Sequence, residues 1–367
     1  MQSSLKYRLF WTWDWRMAWD RENVYDTGGL GGGQGIPPKG KENFLHDYQK
    51  AIDFMAEHGF NGIIVWGFLR DSHGGVEAAR QLCDYGREKD VRVIPGVGIN
   101  CYGGFYYEGD HEFNLNRWLA KHPELRAIDA TGRPMETAAC PSKQETQDWN
   151  RRGMEWLLDT FQIGGVALES GDVGLCHCEE CRKRGSRDGA FSVEDMAMVL
   201  PPMMEIVHAH DPQLWTVCSS YDAYKEYVGK PPFMDSIPDY ALITWPVASK
   251  NFGLAIVDRP PGAHNIGFIY YGHKANNTQH TLHLRDIQYL CKKAAEKEWE
   301  GMCIYGEQAA YFVNNRINYL ALAEFSQHPE MSLEEFSRKH LVPLFGGDHS
   351  PEQALEEILS REAKAEA

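Results

Sequence analysis

The chain predicts an α/β fold, a (β/α)8 TIM barrel with a short C-terminal helical extension, and three observations predict it. Eight short apolar segments alternate with amphipathic ones with little interruption, the order of a parallel α/β architecture. Several of the eight are continuous apolar runs, as strands covered on both faces require. Carboxylates and aromatics recur at the C-terminal ends of these runs, where barrel enzymes carry their chemistry. An open doubly wound sheet is the competing arrangement, but it normally has fewer strands and a nucleotide-binding first turn.

The first strand is expected from Tyr7 to Asp14, inside the run Trp11-Thr12-Trp13-Asp14-Trp15. A helix follows, with Leu45, Tyr48, Ile52 and Met55 at near-helical spacing. Strand two is expected at Asn61 to Phe68 and strand three at Val91 to Asn100. An insertion from Cys101 to Lys143, with a helical piece at Leu115 to His122, precedes the next helix, Gln144 to Phe161. Strands four to seven are expected at Gly164 to Glu169, Leu214 to Ser220, Tyr240 to Trp245 and Asn265 to Tyr271. A helix marked by Ile287, Leu290 and Ala294 leads to strand eight, Gly301 to Glu307. The eighth helix is Asn315 to Gln327, and a capping helix spans Ser332 to Leu344, opening on a Ser-Leu-Glu-Glu capping box. No linker divides the 367 residues, so residues 1–330 form the barrel and 331–367 the extension. Disorder is expected only in the Ala/Glu/Lys tail.

Composition narrows the function. With 37 basic against 52 acidic residues and a formal charge of -15, the chain repels phosphate backbones and anionic membranes, so neither nucleic acid nor membrane is an expected partner. Gly35-Ile36-Pro37-Pro38-Lys39-Gly40-Lys41 fits the first seven positions of a phosphate loop. Glu42 then stands where Ser/Thr is required, and the prolines remove amides that would cradle phosphate. The glycines from Gly28 to Gly35 read better as a loop over the barrel mouth. Nine cysteines, most of them isolated in predicted elements, favour free thiols over a disulfide framework. With no apolar leader and no run of about 18 apolar residues, a cytoplasmic location is expected.

The segment from Gly164 to Arg182 carries most chemistry. An apolar strand delivers Glu169, with Asp172 three residues on, and Cys176, Cys178 and Cys181 follow at Cys-x-Cys-x-x-Cys spacing. These thiols suit zinc, which wants four ligands. Cys140, in Ala-Cys-Pro-Ser, is one candidate for the fourth; His177 or a nearby acid is another. The same residues read equally well as reduced thiols without metal. Glu307 ends strand eight, which closes onto strand one and so brings Glu307 beside Asp14. Other strand ends supply Trp13, Trp66, Arg70, Asn100, Tyr221, Trp245, Tyr271 and His273. Together they make a polar cleft walled by aromatics, the character of a carbohydrate site.

The Glu-Ser-Gly-Asp stretch with Cys-His-Cys-Glu-Glu-Cys-Arg, and Tyr305-Gly306-Glu307 followed by Asn318 to Phe325, resemble barrel glycoside hydrolases. The chain is similar to the α-glucuronidase and hexosaminidase-like group and to bacterial relatives with a Cys-x-Cys-x-x-Cys loop, from Tyr7 to about Gly347. The resemblance implies that Glu169 is the general acid and Glu307 a base or substrate-positioning acid. In a sialidase-like member Asp14 would be the base. No paired Asp-Asp or Asp-Glu closes strand four, which departs from substrate-assisted hexosaminidases.

The expected function is carboxylate acid/base hydrolysis of a glycosidic bond. Arg70 and His273 would hold an acidic sugar, and Asp172 would tune Glu169. The expected partner is a carbohydrate; catalysis needs no cofactor, and a zinc at the cysteine cluster, if bound, is expected to be structural. Oligomeric state stays open, a homodimer included. Two rivals remain: a non-catalytic sugar-binding barrel, and a zinc-dependent hydrolase of non-sugar substrates.

Overall fold

The computed structural model describes residues 4–17, 19, 40–170, 175–185, 192–220, 235–248, 259, 262–271, 281–307 and 312–366. Eight parallel strands close a barrel: β1 (Tyr7–Trp13), β2 (Gly62–Trp66), β3 (Arg92–Gly98), β6 (Gly165–Glu169), β7 (Trp215–Ser219), β8 (Leu242–Ala248), β9 (His264–Ile269) and β10 (Gly301–Tyr305). Their order around the barrel is β1-β10-β9-β8-β7-β6-β3-β2. All eight fall on the segments the sequence predicts, trimmed by up to two residues at most ends. The fold is thus a (β/α)8 TIM barrel.

Helices α1 (Lys41–His58), α2 (Gly75–Glu88), α4 (Gln144–Thr160), α6 (Val193–His210), α7 (Leu284–Glu296) and α8 (Val313–Gln327) interleave with the strands, and a short α5 (Glu179–Arg182) follows β6. The insertion after β3 holds α3 (Leu115–Lys121) and a feature the sequence reading missed, an antiparallel ribbon of β4 (Arg126–Ile128) and β5 (Pro134–Ala139). Between its strands the Asp129 carboxylate accepts the backbone N–H groups of Thr131 and Arg133, closing the turn.

Alternation along each strand sorts side chains into two cores. Leu9 and Trp11, Ile64 and Trp66, Ala167, Val217, Phe268, Cys303 and Tyr305 fill the barrel interior. The intervening residues, such as Phe10, Val65, Leu168 and Ile304, pack outward against the helices. Trp66 is fully buried, and β3 accommodates it with a glycine: a Cβ at Gly96 would sit 2.4 Å from the indole. That is closer than any packed carbon tolerates.

The predicted helix Ser332 to Leu344 is broken into α9 (Leu333–Phe336), a π turn (Ser337–Leu341) and α10 (Val342–Leu344). The capping box is present: Ser332 Oγ accepts the Glu335 N–H at 3.1 Å and Glu335 Oε2 accepts the Ser332 N–H at 2.8 Å. Pro343 lacks an N–H and its ring crowds the carbonyl one turn back, which accounts for the widened turn before it. Glu324 of α8 holds this segment by accepting from Lys339 Nζ at 2.6 Å, with His340 Nε2 at 2.8 Å. The tail expected to be disordered is instead helical, α11 (Pro351–Glu366). Ala354, Ile358 and Glu362 recur every fourth residue on its buried face, and Glu362 pairs with Arg285 of α7 at 2.9 Å. Among the described residues no helix is long and apolar enough to cross a membrane.

Candidate active site

The parity that builds the two cores also decides which strand-end residues reach the barrel mouth. Glu169 closes β6 two residues after inward-facing Ala167, and Glu307 lies two residues after inward-facing Tyr305. Both carboxylates are buried, at 6% and 0% exposure. Glu307 Oε1 accepts the Trp13 backbone N–H at 3.0 Å. Its approach is fixed by Gly306, whose N–H donates to Trp11 O at 2.9 Å and whose carbonyl accepts Trp19 Nε1 at 2.7 Å.

Buried Tyr305 feels the charge of both acids. Burial pushes its hydroxyl well above the usual phenol range, Tyr270 and the charge of Glu307 add to the rise, Arg16 opposes it and Glu169 adds again. One phenol therefore lies in the field of both carboxylates and of a cation. Arg16, 8% exposed, stacks over Trp15 at 4.2 Å and also opposes the upward shift of Tyr107. The sequence reading missed Arg16 and Tyr305: a residue in the turn after β1 and an aromatic inside an apolar run carry no pattern of their own.

Asp14 follows Trp13, whose backbone N–H Glu307 accepts, and the charges of both acids reach the buried Tyr48 hydroxyl. By parity, however, Asp14 points away from the interior, and its oxygens are occupied. Arg70 Nε donates to Oδ2 at 2.7 Å, Arg70 Nη2 to Oδ1 at 3.3 Å, and His73 Nε2 lies 3.1 Å from Oδ2. Burial alone would raise the Asp14 pKa, but Arg70 and His73 outweigh it and hold the carboxyl below its usual range. Gly67, at φ +78°, makes room: a Cβ there would lie 1.9 Å from Asp14 Oδ1. Arg70 is committed to this pair and stacked on Tyr107 at 4.2 Å.

The aromatic wall is real, but its members differ from those expected. Trp13 is half-buried and meets Trp66 at 5.3 Å, Tyr102 at 5.7 Å and Tyr107 at 6.2 Å between ring centroids. Tyr102 holds a left-handed backbone, φ +50°, a strained conformation for an aromatic residue that functional sites often retain. Trp66 belongs to the floor beneath this wall. Trp245 is turned outward, and its Nε1 donates to Asn265 Oδ1 at 2.8 Å. Tyr271 also faces the helices, stacked on His283 and donating to Asp286 at 2.9 Å, while its neighbour Tyr270 takes the inward place. Asn100 turns to Asn150 of α4, 3.5 Å away, rather than to the acids. Asp172, Tyr221 and His273, and the loop from Gly28 to Gly35, lie outside the described residues.

The cysteine loop meets the ribbon. Sγ atoms of Cys140, Cys176, Cys178 and Cys181 all lie within 4.8 Å of one another, so the cluster could bind a metal such as zinc. All nine cysteines are free thiols.

Among solved structures the chain is similar to a β-N-acetylhexosaminidase from Bacteroides fragilis, with 13% identity and a TM-score of 0.56 over 94% of this chain and 71% of that one. A GH138 enzyme targeting pectin rhamnogalacturonan II aligns at 13% identity and a TM-score of 0.59, over 98% of this chain and 54% of that one. An α-amylase from Geobacillus thermoleovorans aligns at 12% identity and 0.51, over 89% and 80%. At such identities the similarity speaks for the fold alone, a TIM barrel resembling those of glycoside hydrolases. No protein-family model and no curated sequence matches the chain.

Proposed function

We propose that the chain is a glycoside hydrolase working by carboxylate acid/base catalysis. One observation carries the reading: two buried, inward-facing acids from different strands, Glu169 and Glu307, act on the same phenol, Tyr305, beneath a half-exposed aromatic wall. Glycosidic cleavage needs one carboxyl to protonate the leaving oxygen and another to activate water or attack the sugar. Glu169 is assigned the acid. Glu307 is assigned the base or nucleophile, since an acceptor already fed by a backbone N–H suits a carboxylate. Tyr305, kept protonated by its surroundings, is assigned the role of a donor near them. Asp14 positions: it fixes Arg70 and, through its own N–H to Trp66 O at 2.9 Å, the end of β1 that carries Trp13.

An acidic sugar is the substrate class this reading favours. The support is Arg16, whose charge is felt by both Tyr305 and Tyr107, now that Arg70 is paired with Asp14. The cysteine cluster takes no part in bond cleavage, because four thiolates would fill a tetrahedral zinc and leave no position for water. The test is turnover of a nitrophenyl glycoside panel that includes uronides and sialosides. Cleavage of an anionic member, abolished by Glu169→Gln, supports the reading. Saturable sugar binding without turnover would replace it with a non-catalytic carbohydrate-binding barrel.

A further inference from the structure

We infer that Cys140, Cys176, Cys178 and Cys181 form a tetrathiolate zinc site whose work is mechanical, clamping the β4–β5 ribbon to the loop that follows Glu169. The distances fit the ion. Cys140 Sγ lies 3.7 Å from both Cys178 Sγ and Cys181 Sγ. A tetrahedron of thiolates at a zinc–sulfur distance of about 2.3 Å has edges of about 3.8 Å. A disulfide would need about 2.05 Å.

The surroundings fit as well. Zinc with four thiolates carries two net negative charges, and such charge is buried only with compensation. Arg184 supplies part of it: Nη2 donates to Cys181 Sγ at 3.1 Å, Nη1 to Ser142 Oγ at 2.6 Å, and Asp195 orients the guanidinium at 2.8 Å. Ser142 Oγ is itself 3.0 Å from Cys181 Sγ, and the Ile128 N–H points to Cys176 Sγ at 3.4 Å. Donors aimed at sulfur are the usual outer partners of a thiolate centre. Soft ligands select zinc or its thiophilic substitutes over magnesium or calcium.

The mechanical role follows from which segments contribute. Cys140 stands just past β5, Cys176 and Cys178 stand in the loop beyond Glu169, and Cys181 stands in the short helix α5 that follows it. A ribbon of three and six residues buries too little to hold itself. Its small core is Ala127 and Ala138 against the thiols. The His177 N–H donates to Ile128 O at 2.7 Å, so ribbon and loop already share a backbone bond beside the cluster. On the barrel side the Ala139 N–H reaches Asn100 O at 2.9 Å and Cys101 Sγ reaches Ser170 O at 3.3 Å. The two loops above β3 and β6 are thereby tied to the residue next to Glu169.

Metal analysis of the full chain, purified under reducing conditions, tests this. One zinc per chain is expected, replaced by cobalt with thiolate charge-transfer and tetrahedral ligand-field absorption. Cys140→Ser should lose the metal while Cys83→Ser keeps it, and Arg184→Met should weaken affinity about 10- to 100-fold. Should Cys140→Ser fail to fold, zinc titration of Cys178→Ser against a colorimetric chelator gives the same comparison. Hydrogen exchange after chelation should rise together in residues 126–139 and 175–185. Substoichiometric metal, a cobalt spectrum without thiolate bands, or wild-type affinity in both cysteine variants would overturn the site. Unchanged protection after metal removal would overturn the clamp. None of these readouts uses glycosidase activity, so a failure of that reading leaves them intact.

Discussion

The Trp13 N–H donates to Glu307 Oε1 at 3.0 Å across the seam where β1 meets β10. The register there pairs Trp11 with Tyr305, and two residues further on the same alignment sets Trp13 opposite Glu307. One strand thus offers its ring to the aromatic wall and its amide to the acid. Closing the barrel makes both placements at once.

Glu307→Gln and Glu169→Gln should each lower kcat by about 10²- to 10⁴-fold, the range for removal of a positioned acid or base. Gln keeps the side-chain shape, so the thermal midpoint should move little. A variant with wild-type kcat would remove that residue from the machinery.

Asp14→Asn leaves Arg70 buried without its counter-ion and disturbs the contact to His73 Nε2, a loss on the order of 3–5 kcal/mol. The sign of the pH effect follows from the shift. The folded pKa lies below the unfolded value of about 3.9, so the stabilisation is complete above that value and fades as pH falls through the folded pKa. Urea midpoints from pH 7 to pH 3 should therefore fall more steeply for wild type than for Asp14→Asn. Parallel curves would show that the pair contributes nothing.

Tyr305→Phe removes a buried hydroxyl that feels the charge of both acids. A fall in kcat of about 10²-fold is expected with KM little changed, since its burial keeps the phenol a donor at neutral pH. An equal loss in binding of a non-hydrolysable sugar analogue would make Tyr305 a ground-state contact instead.

Glu324 ties α8 to the C-terminal extension. Burial raises its pKa, but His340 and Lys339 bring it down to about 2. Its contribution is therefore complete above the unfolded value of about 4.3 and lost as pH falls toward 2. Glu324→Gln should expose residues 333–366 to protease at neutral pH, as acid should do in wild type. Resistance equal to wild type would mean that α11 and Arg285 suffice.

All eight strands and the closure of strand eight onto strand one were legible, because apolar runs and barrel closure are properties of the sequence order. Facing was not. In a run buried on both sides no polar residue marks the phase, and a one-residue difference exchanges inside for outside. That is why Tyr271 and Trp245 read as mouth residues although they pack on helices, and why Tyr270 was passed over. The ribbon was readable in principle: Asp129-Ala-Thr-Gly132 is a turn between two short strands. Likewise the four-residue spacing of Ala354, Ile358 and Glu362 marks a helix that charged composition obscures.

The packed floor has one more consequence. Trp11 lies 5.5 Å from Trp66 and 5.1 Å from Phe268, ring to ring, so the barrel is stoppered just below the acids. A vessel closed at its base has one door. Under the proposed glycosidase reading, product would have to depart against incoming substrate, so traffic through the rim, rather than drainage along the axis, would govern how quickly the site is vacated.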